Sequence, residues 1–214
     1  MTSPDYFYEK KYPDINWIAG VDEAGRGAWA GDIFVAVFML HRRYIEAQEV
    51  IPLDDSKKLS PKKRSELFSS LEEYGAYKVG RCSSEEIDQM GLTAATATAL
   101  SRAISQLSQQ PEVLLLDAGI FYKSNIPCVS IVKGDQKSYS IAGASIAAKV
   151  SRDRYMETMG ESYPEWDFSI HMGYGTKLHS EKITQHGISP IHRKSFKPIH
   201  EILNQKQETL YGLF

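Results

Sequence analysis

The stretch IAGVDEAGRGAWAGDIFVAVFML, residues 18–40, decides the fold because it places two apolar runs around a charged, glycine-rich turn. This pattern predicts strand, turn, strand. Neighbouring residues of a strand point to opposite faces, so Asp22 and Glu23 can serve one site only where the strand ends or bends. Gly25-Arg26-Gly27 supplies that bend, since glycine tolerates positive φ and lets a ligand approach main-chain N–H groups. One interpretation is a site for metal and phosphate; the other is a hairpin with solvated charges.

The composition is that of an ordinary globular protein. The 214 residues suit one large domain or a domain with an appended helical segment, and 42% are hydrophobic. Because 25 Lys+Arg balance 27 Asp+Glu, any nucleic-acid binding must be local. The two cysteines, Cys82 and Cys128, are too few for a disulfide framework and favour a reducing cytoplasm. Without a signal-like N-terminus or an apolar run of membrane length, we expect a cytoplasmic protein.

Helical and strand patterns alternate after residue 60. Ser60-Pro61 is typical of a helix start. The short apolar strand at 113–116 is of the type that is covered on both faces. Strands that first form a meander and then alternate with helices indicate an α/β sheet with helices on its faces. The predicted elements are helices at 62–74, from Ser83, at 92–109 and at 138–159, strands at 77–82, 113–116 and 126–132, and a mixture of loops and helices from 163 to 214.

Two further acids stand at the ends of predicted elements. Asp117 follows the apolar strand and Asp135 precedes the helix at 138–159. Together with Asp22 and Glu23 they could form an oxygen-rich cluster of the kind that holds Mg²⁺ or Mn²⁺. Taken singly, each has an ordinary explanation, because Asp starts turns and caps helices by accepting hydrogen bonds from N–H groups. Those explanations do not account for all four acids occupying one type of position.

Several segments together resemble bacterial ribonuclease HII, in order and at similar spacing over about residues 17–198. They are GVDEAGRG at 20–27, DSKKL at 55–59, KGD at 133–135, ASIAAKV at 144–150 and HMGYGT at 171–176. The resemblance implies the ribonuclease H fold, a mixed sheet flanked by helices with a helical C-terminal part. It implies a single catalytic domain over residues 1–214, with an α/β core at about 15–160 and a helical extension at about 161–214.

The resemblance also implies an activity. Enzymes of this family hydrolyse the RNA strand of RNA–DNA hybrids and incise 5′ of a ribonucleotide embedded in duplex DNA, leaving 3′-hydroxyl and 5′-phosphate ends. Asp22, Glu23, Asp117 and Asp135 are then the catalytic and metal-binding acids. In the implied two-metal mechanism, one Mg²⁺ or Mn²⁺ activates water and the second stabilises the leaving 3′-oxygen. The implied protein is a monomer.

Substrate contacts follow from the same motifs. Gly25-Arg26-Gly27 would meet the ribose 2′-hydroxyl and neighbouring phosphates, and this hydroxyl is the group that distinguishes RNA from DNA. Lys57 and Lys58 are further substrate-binding residues by the same resemblance. Tyr174 would pack against the adjoining sugar, and a core tyrosine with a buried hydroxyl is the alternative.

Basic clusters and histidines are the remaining polar groups with a potential role. The basic clusters are either solvated faces or phosphate contacts, which would make binding salt-dependent. We interpret His171 and His192 as phosphate or structural contacts, and His179, His186 and His200 as surface residues. The basic clusters comprise Lys57, Lys58, Lys62, Lys63 and Arg64; Lys133, Lys137, Lys149, Arg152 and Arg154; and Arg193, Lys194 and Lys197.

Some positions depart from the family pattern. Ala28 stands where the family usually has proline after the glycine turn, and Asp117 is followed by Ala118 where the family usually has glycine. Asp32 is an extra acid near the turn, and Met172 replaces a usual lysine. None of these changes removes a metal ligand. They bear on substrate affinity and on the preference between long hybrids and single ribonucleotides.

The last eight residues, QETLYGLF at 207–214, resemble the tails that dock on replication sliding clamps. The alternative is an amphipathic tail that packs on its own domain.

Two other functions also stay open for the acid cluster. A relative of resolvases or integrases would cut all-DNA junctions without a ribose hydroxyl, whereas a non-enzymatic binding module would bind hybrids without cleaving them.

Overall fold

A mixed sheet forms the centre of the computed structural model, which describes residues 3–53, 56 and 59–211, with side chains as far as residue 204. Its strands are β1 Ile18–Ala24, β2 Ile33–Leu40, β3 Gly75–Cys82, β4 Val113–Asp117 and β5 Cys128–Ile131. They lie in the order β3-β2-β1-β4-β5. β1 pairs antiparallel with β2 and parallel with β4. The predicted first strand, turn and second strand are confirmed.

Helices cover both faces of the sheet, as predicted. One face, with Val35 and Val37 of β2, packs against the helix that contains Ala99, and the other, with Ala36 and Phe38, packs against the helix that contains Ala144. The helices are α1 Arg42–Ala47, α2 Pro61–Ser69, α3 Leu71–Tyr74, α4 Ser84–Met90, α5 Leu92–Ser105, α6 Tyr139–Ser162, α7 Phe168–His171, α8 Lys177–His186 and α9 Lys197–Tyr211. Short 3-10 turns occur at Glu9–Lys11, Gly134–Gln136 and Pro164–Trp166.

Small residues bring α6 close to the sheet. A Cβ on Gly20 of β1 would lie 2.1 Å from the carbonyl carbon of Ser140, and a Cβ on Gly143 would lie 2.3 Å from the Phe38 ring. A larger side chain at either position would push the helix away, because neither the Ser140 backbone nor the fully buried Phe38 ring has room to move. The close contact holds α6 directly over the part of β1 that carries the acid pair.

Several predicted elements differ from those observed at their ends. The helix expected at 62–74 is interrupted at Ser70, and the helix expected at 92–109 ends at Ser105. The second helix stops early because the Gln106 side chain caps it, donating to the Arg102 carbonyl at 2.8 Å. β5 begins at Cys128 because Pro127 has no N–H to donate to the ladder.

Beyond α6, the described chain contains helices and loops and no strand, as the sequence pattern predicts. None of the helices described is both long and apolar enough to cross a membrane. The C-terminal part folds back on the loop between β1 and β2. An isolated antiparallel bridge joins Ala28 to Tyr174, and a second joins Ala30 to His192.

Candidate active site

Asp22 and Asp117 stand at the ends of neighbouring parallel strands. β1 and β4 are in register up to Val21 opposite Leu116, so the next step along each strand reaches these two acids. Side chains alternate between faces, and Asp22 therefore leaves the sheet on the side of α6, as Gly20 does. Asp117 leaves on the same side, where the apolar cluster of β4 includes residues of α6. The fold thus places two carboxylates together that lie far apart in the sequence.

The Asp22 carboxyl group is buried among other acids. Burial raises the pKa of Asp22 well above its usual range, and the negative charges of Glu23 and Asp117 raise it further. A hydrogen bond from the Ser145 side chain and one from the Glu23 N–H, 2.7 Å from Asp22 Oδ1, oppose this shift. The sequence assigned no role to Ser145, which lies on α6 within a family-like motif. Its contact with Asp22 was a consequence of the close helix–sheet packing.

The turn before α6 brings Asp135 close to Asp117. The Gly134 N–H donates to Asp117 Oδ1 at 2.7 Å, and Gly134 begins the 3-10 turn that contains Asp135. Asp135 is buried. Lys133, in front of this turn, adopts a left-handed conformation with φ 55°, which redirects the chain from β5 into the helix. The KGD segment therefore supplies one N–H donor to an acid and presents a second acid beside it.

Glu23 differs from the other three acids. β1 continues past the acid pair to Ala24, and Glu23 lies opposite Val35, which packs on the α5 side of the sheet. The Glu23 side chain therefore starts from the face opposite to Asp22. Arg26 lies 3.9 Å from Glu23 Oε1, at the beginning of the turn. The predicted bend at Gly25 follows Ala24, the last residue of β1. Glu23 can therefore join the other acids only around the end of β1.

Carboxylate oxygens dominate this end of the sheet, and they are the ligands that a hard divalent cation prefers. In residues 3–53, 56 and 59–204, no three Asp, Glu, His or Cys side chains are already arranged as a ligand set. Like charges repel, so a set of carboxylates closes fully only around a cation. The donor chemistry fits Mg²⁺ or Mn²⁺, and convergence of all four acids on shared ions stays a prediction.

The glycine turn after β1 is tightly held at one end and open at the other. Gly25 has φ +93°, and a Cβ there would lie 2.0 Å from Arg152 Nε, so only glycine fits. The turn closes through a hydrogen bond from the Ala28 N–H to the Gly25 carbonyl at 3.2 Å. A Cβ on Gly27 would meet nothing within 4 Å. The open side is where a ligand can approach the main chain.

Two buried arginines hold this loop from behind. Arg152 of α6 donates to the carbonyls of Asp32 and Ala30, each at 3.2 Å, and to that of Met172 at 2.9 Å. Arg193 donates to the Gly31 carbonyl at 2.9 Å. Both side chains are fully buried. Burial lowers the pKa of Arg193 to about 9.

These contacts correct the interpretation of Arg152 and Arg193 as members of solvated or phosphate-binding clusters. A charged side chain is rarely buried unless it is paired, so a sequence pattern of basic residues favours exposure. Backbone carbonyls are the partners here, and sequence cannot show them. Arg193 also donates to the Arg26 carbonyl at 3.2 Å, which links the C-terminal part to the glycine turn.

Tyr174 is joined to the same turn. Its backbone forms the bridge to Ala28, and its ring is half-buried. The guanidinium carbon of Arg152 lies 5.2 Å from the ring centroid, and Lys149 Nζ lies 5.9 Å from it. A ring that lies near two cations and is partly open to solvent differs from the tyrosine of an apolar core.

The departures from the family pattern have local explanations. Ala28 donates the hydrogen bond that closes the turn, which proline could not do. After Asp117, the Ala118 N–H donates to the Ile131 carbonyl at 3.1 Å, and the chain reverses at Gly119, where φ is +101°. Met172 contributes its carbonyl to Arg152.

Asp32 and Arg64 are structural. Tyr155 donates to Asp32 Oδ1 at 2.9 Å, and Arg81 lies 3.4 Å from the other oxygen. Arg64 is buried, donates to the Ser56 carbonyl at 2.9 Å and pairs with Asp153 at 3.3 Å. The predicted contacts Lys57 and Lys58 lie outside the described residues.

Three histidines form a buried cluster behind Tyr174, which corrects the assignment of His179 to the surface. His179 is fully buried and stacks on His171 with ring centroids 4.1 Å apart. The Ser189 N–H donates to His192 Nδ1 at 2.8 Å, so His192 Nε2 carries the proton and donates to His179 Nε2 at 3.0 Å. His179 Nδ1 then donates to the Tyr174 carbonyl at 3.0 Å. Each ring must be neutral to complete this chain.

The histidine cluster predicts a specific loss of stability in acid. Burial lowers the pKa of His179 to about 3 and that of His192 to about 4. Below about pH 6.5 these histidines bind protons in the unfolded chain but stay neutral in the folded chain. The free energy of unfolding should therefore decrease as the pH is lowered, by up to about 1.4 kcal/mol per pH unit for each histidine. The neutral histidines therefore make their full contribution to the free energy of unfolding above pH 6.5, and this contribution is lost as the pH approaches 4. Urea unfolding between pH 7 and 4.5 measures the slope.

A matched pair of variants separates the contribution of the histidines to this pH dependence from the contribution of the acidic residues. His179→Phe keeps an aromatic ring in the cluster and should reduce the slope by about one proton, whereas the exposed His186→Gln should leave it unchanged. An identical slope in wild type and His179→Phe would contradict a neutral buried His179.

Known proteins resemble this chain over most of its length. A family model described as Ribonuclease HII matches residues 19–199. Ribonuclease HII of Marinomonas sp. (strain MWYL1) is 46% identical over 189 residues, covering 87% of this chain and 92% of that protein. The crystal structure of ribonuclease H2 from Pyrococcus horikoshii OT3 superposes with a TM-score of 0.75 at 28% identity, covering 89% of this chain and 99% of that one. RNase HII of Archaeoglobus fulgidus, solved with PCNA, gives 0.69 at 25% identity, covering 85% and 95%.

The sequence match and the structural match agree with each other. The family match begins in β1, passes through all five strands and ends in α9. The Pyrococcus structure is covered almost completely by the same fold. This chain therefore belongs to the ribonuclease HII family and is a ribonuclease H enzyme.

Proposed function

We propose that this enzyme hydrolyses the RNA strand of RNA–DNA hybrids and incises 5′ of ribonucleotides embedded in duplex DNA, leaving 3′-hydroxyl and 5′-phosphate ends. One observation carries the proposal. The strand that bears Asp22, beside Asp117, leads directly into the glycine turn, and this turn is bridged to Tyr174. The acid that could bind a cation at the phosphate and the turn that could contact the sugar are therefore only a few residues apart.

The proposed catalytic and metal-binding residues are Asp22, Glu23, Asp117 and Asp135. Family membership supports divalent-metal dependence, and the oxygen donors fit two Mg²⁺ or Mn²⁺ ions. Such ions supply a hydroxide-like nucleophile near neutral pH and neutralise charge on the scissile phosphate. Ser145 orients the Asp22 carboxylate through its hydrogen bond, and the Gly134 N–H orients that of Asp117. These hydrogen bonds support the proposal that Asp22 and Asp117 are oriented before substrate arrives.

Recognition of the ribonucleotide is assigned to the turn Gly25-Arg26-Gly27 and to Tyr174. The main chain at Gly27 is open to a ligand, so its polar groups can contact a 2′-hydroxyl without steric hindrance. Arg26, Lys57 and Lys58 are proposed phosphate contacts. The Tyr174 ring would cover the adjoining sugar, supported from below by Arg152. This arrangement requires the 2′-hydroxyl of a single ribonucleotide and does not require several consecutive ribonucleotides.

The whole chain is proposed to act as one catalytic domain, because the helical extension supplies Tyr174 and Arg193 to the loop of the α/β core. We also propose that the enzyme is a monomer. We include a sliding clamp as a second partner. The tail motif at 207–214 supports it, as does the Archaeoglobus complex with PCNA. Gly212–Phe214 lie outside the described residues. A pull-down with the clamp should be made with the full chain and with a chain that ends at Lys206. Loss of binding on truncation would support docking of the tail, whereas no binding by either chain would favour a tail that packs on its own domain.

One assay with matched duplexes tests the proposed activity. A DNA duplex with a single ribonucleotide and an RNA–DNA hybrid should both be cut in Mg²⁺ or Mn²⁺, and neither should be cut in chelator. An all-DNA duplex of the same sequence should stay intact, because it has no 2′-hydroxyl. End-labelling should place the nick 5′ of the ribonucleotide.

The outcomes also separate the other functional classes. Cleavage of all-DNA junctions would indicate a resolvase-like enzyme, and binding of hybrids without metal-dependent cleavage would indicate a binding module. Either result would contradict the proposal.

A further inference from the structure

We propose that residues 3–12 form a preorganised platform that binds a nucleotide of the substrate duplex outside the scissile position. This inference rests on the proposed function. The segment itself lies before residue 19, where the match to the family model begins. We define the platform by Phe7, Tyr8, Lys11 and the neighbouring Lys137.

The segment is anchored at the start of α6. Glu9 is buried, and its Oε1 accepts hydrogen bonds from the Ser138 hydroxyl at 2.6 Å and from the Ser140 N–H at 3.0 Å. Asp5 forms an isolated parallel bridge with Ser138. A carboxylate at the N-terminus of a long helix is favoured by the helix dipole. Glu9 therefore holds the 3-10 turn Glu9–Lys11 in a defined position.

This anchor places the platform beside a proposed catalytic acid. Ser138 is the N-cap of α6, and its N–H donates to the Gly134 carbonyl at 2.9 Å, in the 3-10 turn that carries Asp135. A surface cavity of about 210 Å³ lies between the two segments. It is lined by Ser3, Asp5, Phe7, Tyr8, Gln136 and Lys137. The cavity thus begins one residue from Asp135.

The exposed surface of the platform combines aromatic and cationic groups. Phe7 is 58% exposed and meets the Tyr8 ring edge-on, with centroids 5.2 Å apart. Lys11 Nζ lies 4.3 Å from the Phe7 centroid and 4.8 Å from that of Tyr8. Aromatic rings with an ammonium group beside them are a combination that contacts sugars or bases while the ammonium group meets a phosphate.

Charge supports a polyanionic occupant. Lys137 lines the cavity, and the exposed Lys10, Lys11 and Lys133 belong to the two segments on either side of it. Asp5 is the acid among the lining residues, and its Oδ1 already accepts a hydrogen bond from the Phe7 N–H at 2.7 Å. A duplex seated on the proposed active site continues past the scissile phosphate, and the platform is continuous with that site through Gln136. The occupant that fits is a nucleotide of the same duplex.

Kinetics on duplexes of graded length test the platform. Single-ribonucleotide substrates are extended by a few base pairs at a time on one side or the other. In wild type, extension on one side should lower KM when the duplex reaches the platform. Phe7→Ala should raise KM on long duplexes about fivefold with kcat unchanged, and should remove the gain from extension. Trp17→Ala removes a partly exposed aromatic residue at the other end of β1 and serves as the matched control.

Salt dependence separates the aromatic from the cationic contacts. Lys11→Ala and Lys137→Ala should each reduce the slope of log KM against log salt by about 0.9 if each meets one phosphate, whereas Phe7→Ala should leave the slope unchanged. If wild type cleaves but Phe7→Ala keeps the full gain from extension, the platform is refuted and the proposed function stands. If wild type cleaves no substrate that contains a ribonucleotide, the proposed function fails, and the platform with it.

Discussion

Replacement of Asp22 by asparagine is expected to reduce cleavage of every substrate by about a thousandfold or more, because a carboxylate that holds a catalytic cation cannot be replaced by a neutral amide. The fold should persist. Asp22 is buried beside Glu23 and Asp117, and both its burial and their charges disfavour its ionised form. A neutral amide removes this repulsion, so the melting temperature of the metal-free protein should stay the same or rise.

The two measurements must be made on the same preparation of Asp22→Asn. Circular dichroism and thermal unfolding report the fold, and single-turnover cleavage of the single-ribonucleotide duplex reports the chemistry. Asp135→Asn should behave in the same way, whereas the exposed Asp14→Asn, in the loop before β1, should leave the rate unchanged. A folded Asp22→Asn enzyme with more than a tenth of wild-type activity would contradict the assignment of the four acids as catalytic metal ligands.

Tyr174→Ala is expected to cause the second large effect, a fall in kcat/KM of about one hundredfold on the single-ribonucleotide duplex. The backbone of Tyr174 is fixed by Ala28 and by the buried His179, so the variant should lose the ring without disturbing the loop. The ring is the group that would hold the adjoining sugar, and misplacement of a substrate by about 1 Å can cost this much. A long RNA–DNA hybrid should lose less, since its neighbouring ribonucleotides offer further 2′-hydroxyl contacts that help to position it when the ring is absent.

Tyr174→Phe is the matched control. It keeps the ring over Arg152 and removes only the hydroxyl, so it should retain most of the activity if packing on the sugar is the main contribution. Equal losses on the single ribonucleotide and on the long hybrid would instead mean that Tyr174 supports the fold of the loop. Thermal unfolding of both variants distinguishes that outcome directly.

Several features of the site could be predicted from local patterns. Residues 18–40 indicate strand, turn and strand because alternating apolar runs and glycine-rich turns have few other solutions. The positions of Asp117 and Asp135 at element ends also follow from local signals. The proximity of Asp117 to Asp22 needed the register of β1 and β4, in which residues almost one hundred positions apart become neighbours. No pattern in a single sequence specifies such a register.

The errors share a physical cause. Arg152, Arg193 and His179 have polar side chains, and polar residues are usually exposed, so the sequence favoured a surface position for each. The fold buries all three, and hydrogen bonds offset the cost of desolvation. Their partners are carbonyl oxygens and another imidazole, contributed by segments that are distant in sequence.

The same distinction applies to Glu9, which no sequence pattern singled out. Its importance comes from burial against Ser138 and Ser140, which lie about 130 residues further along the chain. Local sequence by itself determined the type of each major element and the chemistry available at its ends, because backbone geometry and side-chain type act over a few residues. Only the tertiary structure decided which charges are buried, which face Glu23 starts from and which loops support Tyr174, because those properties depend on close packing between segments.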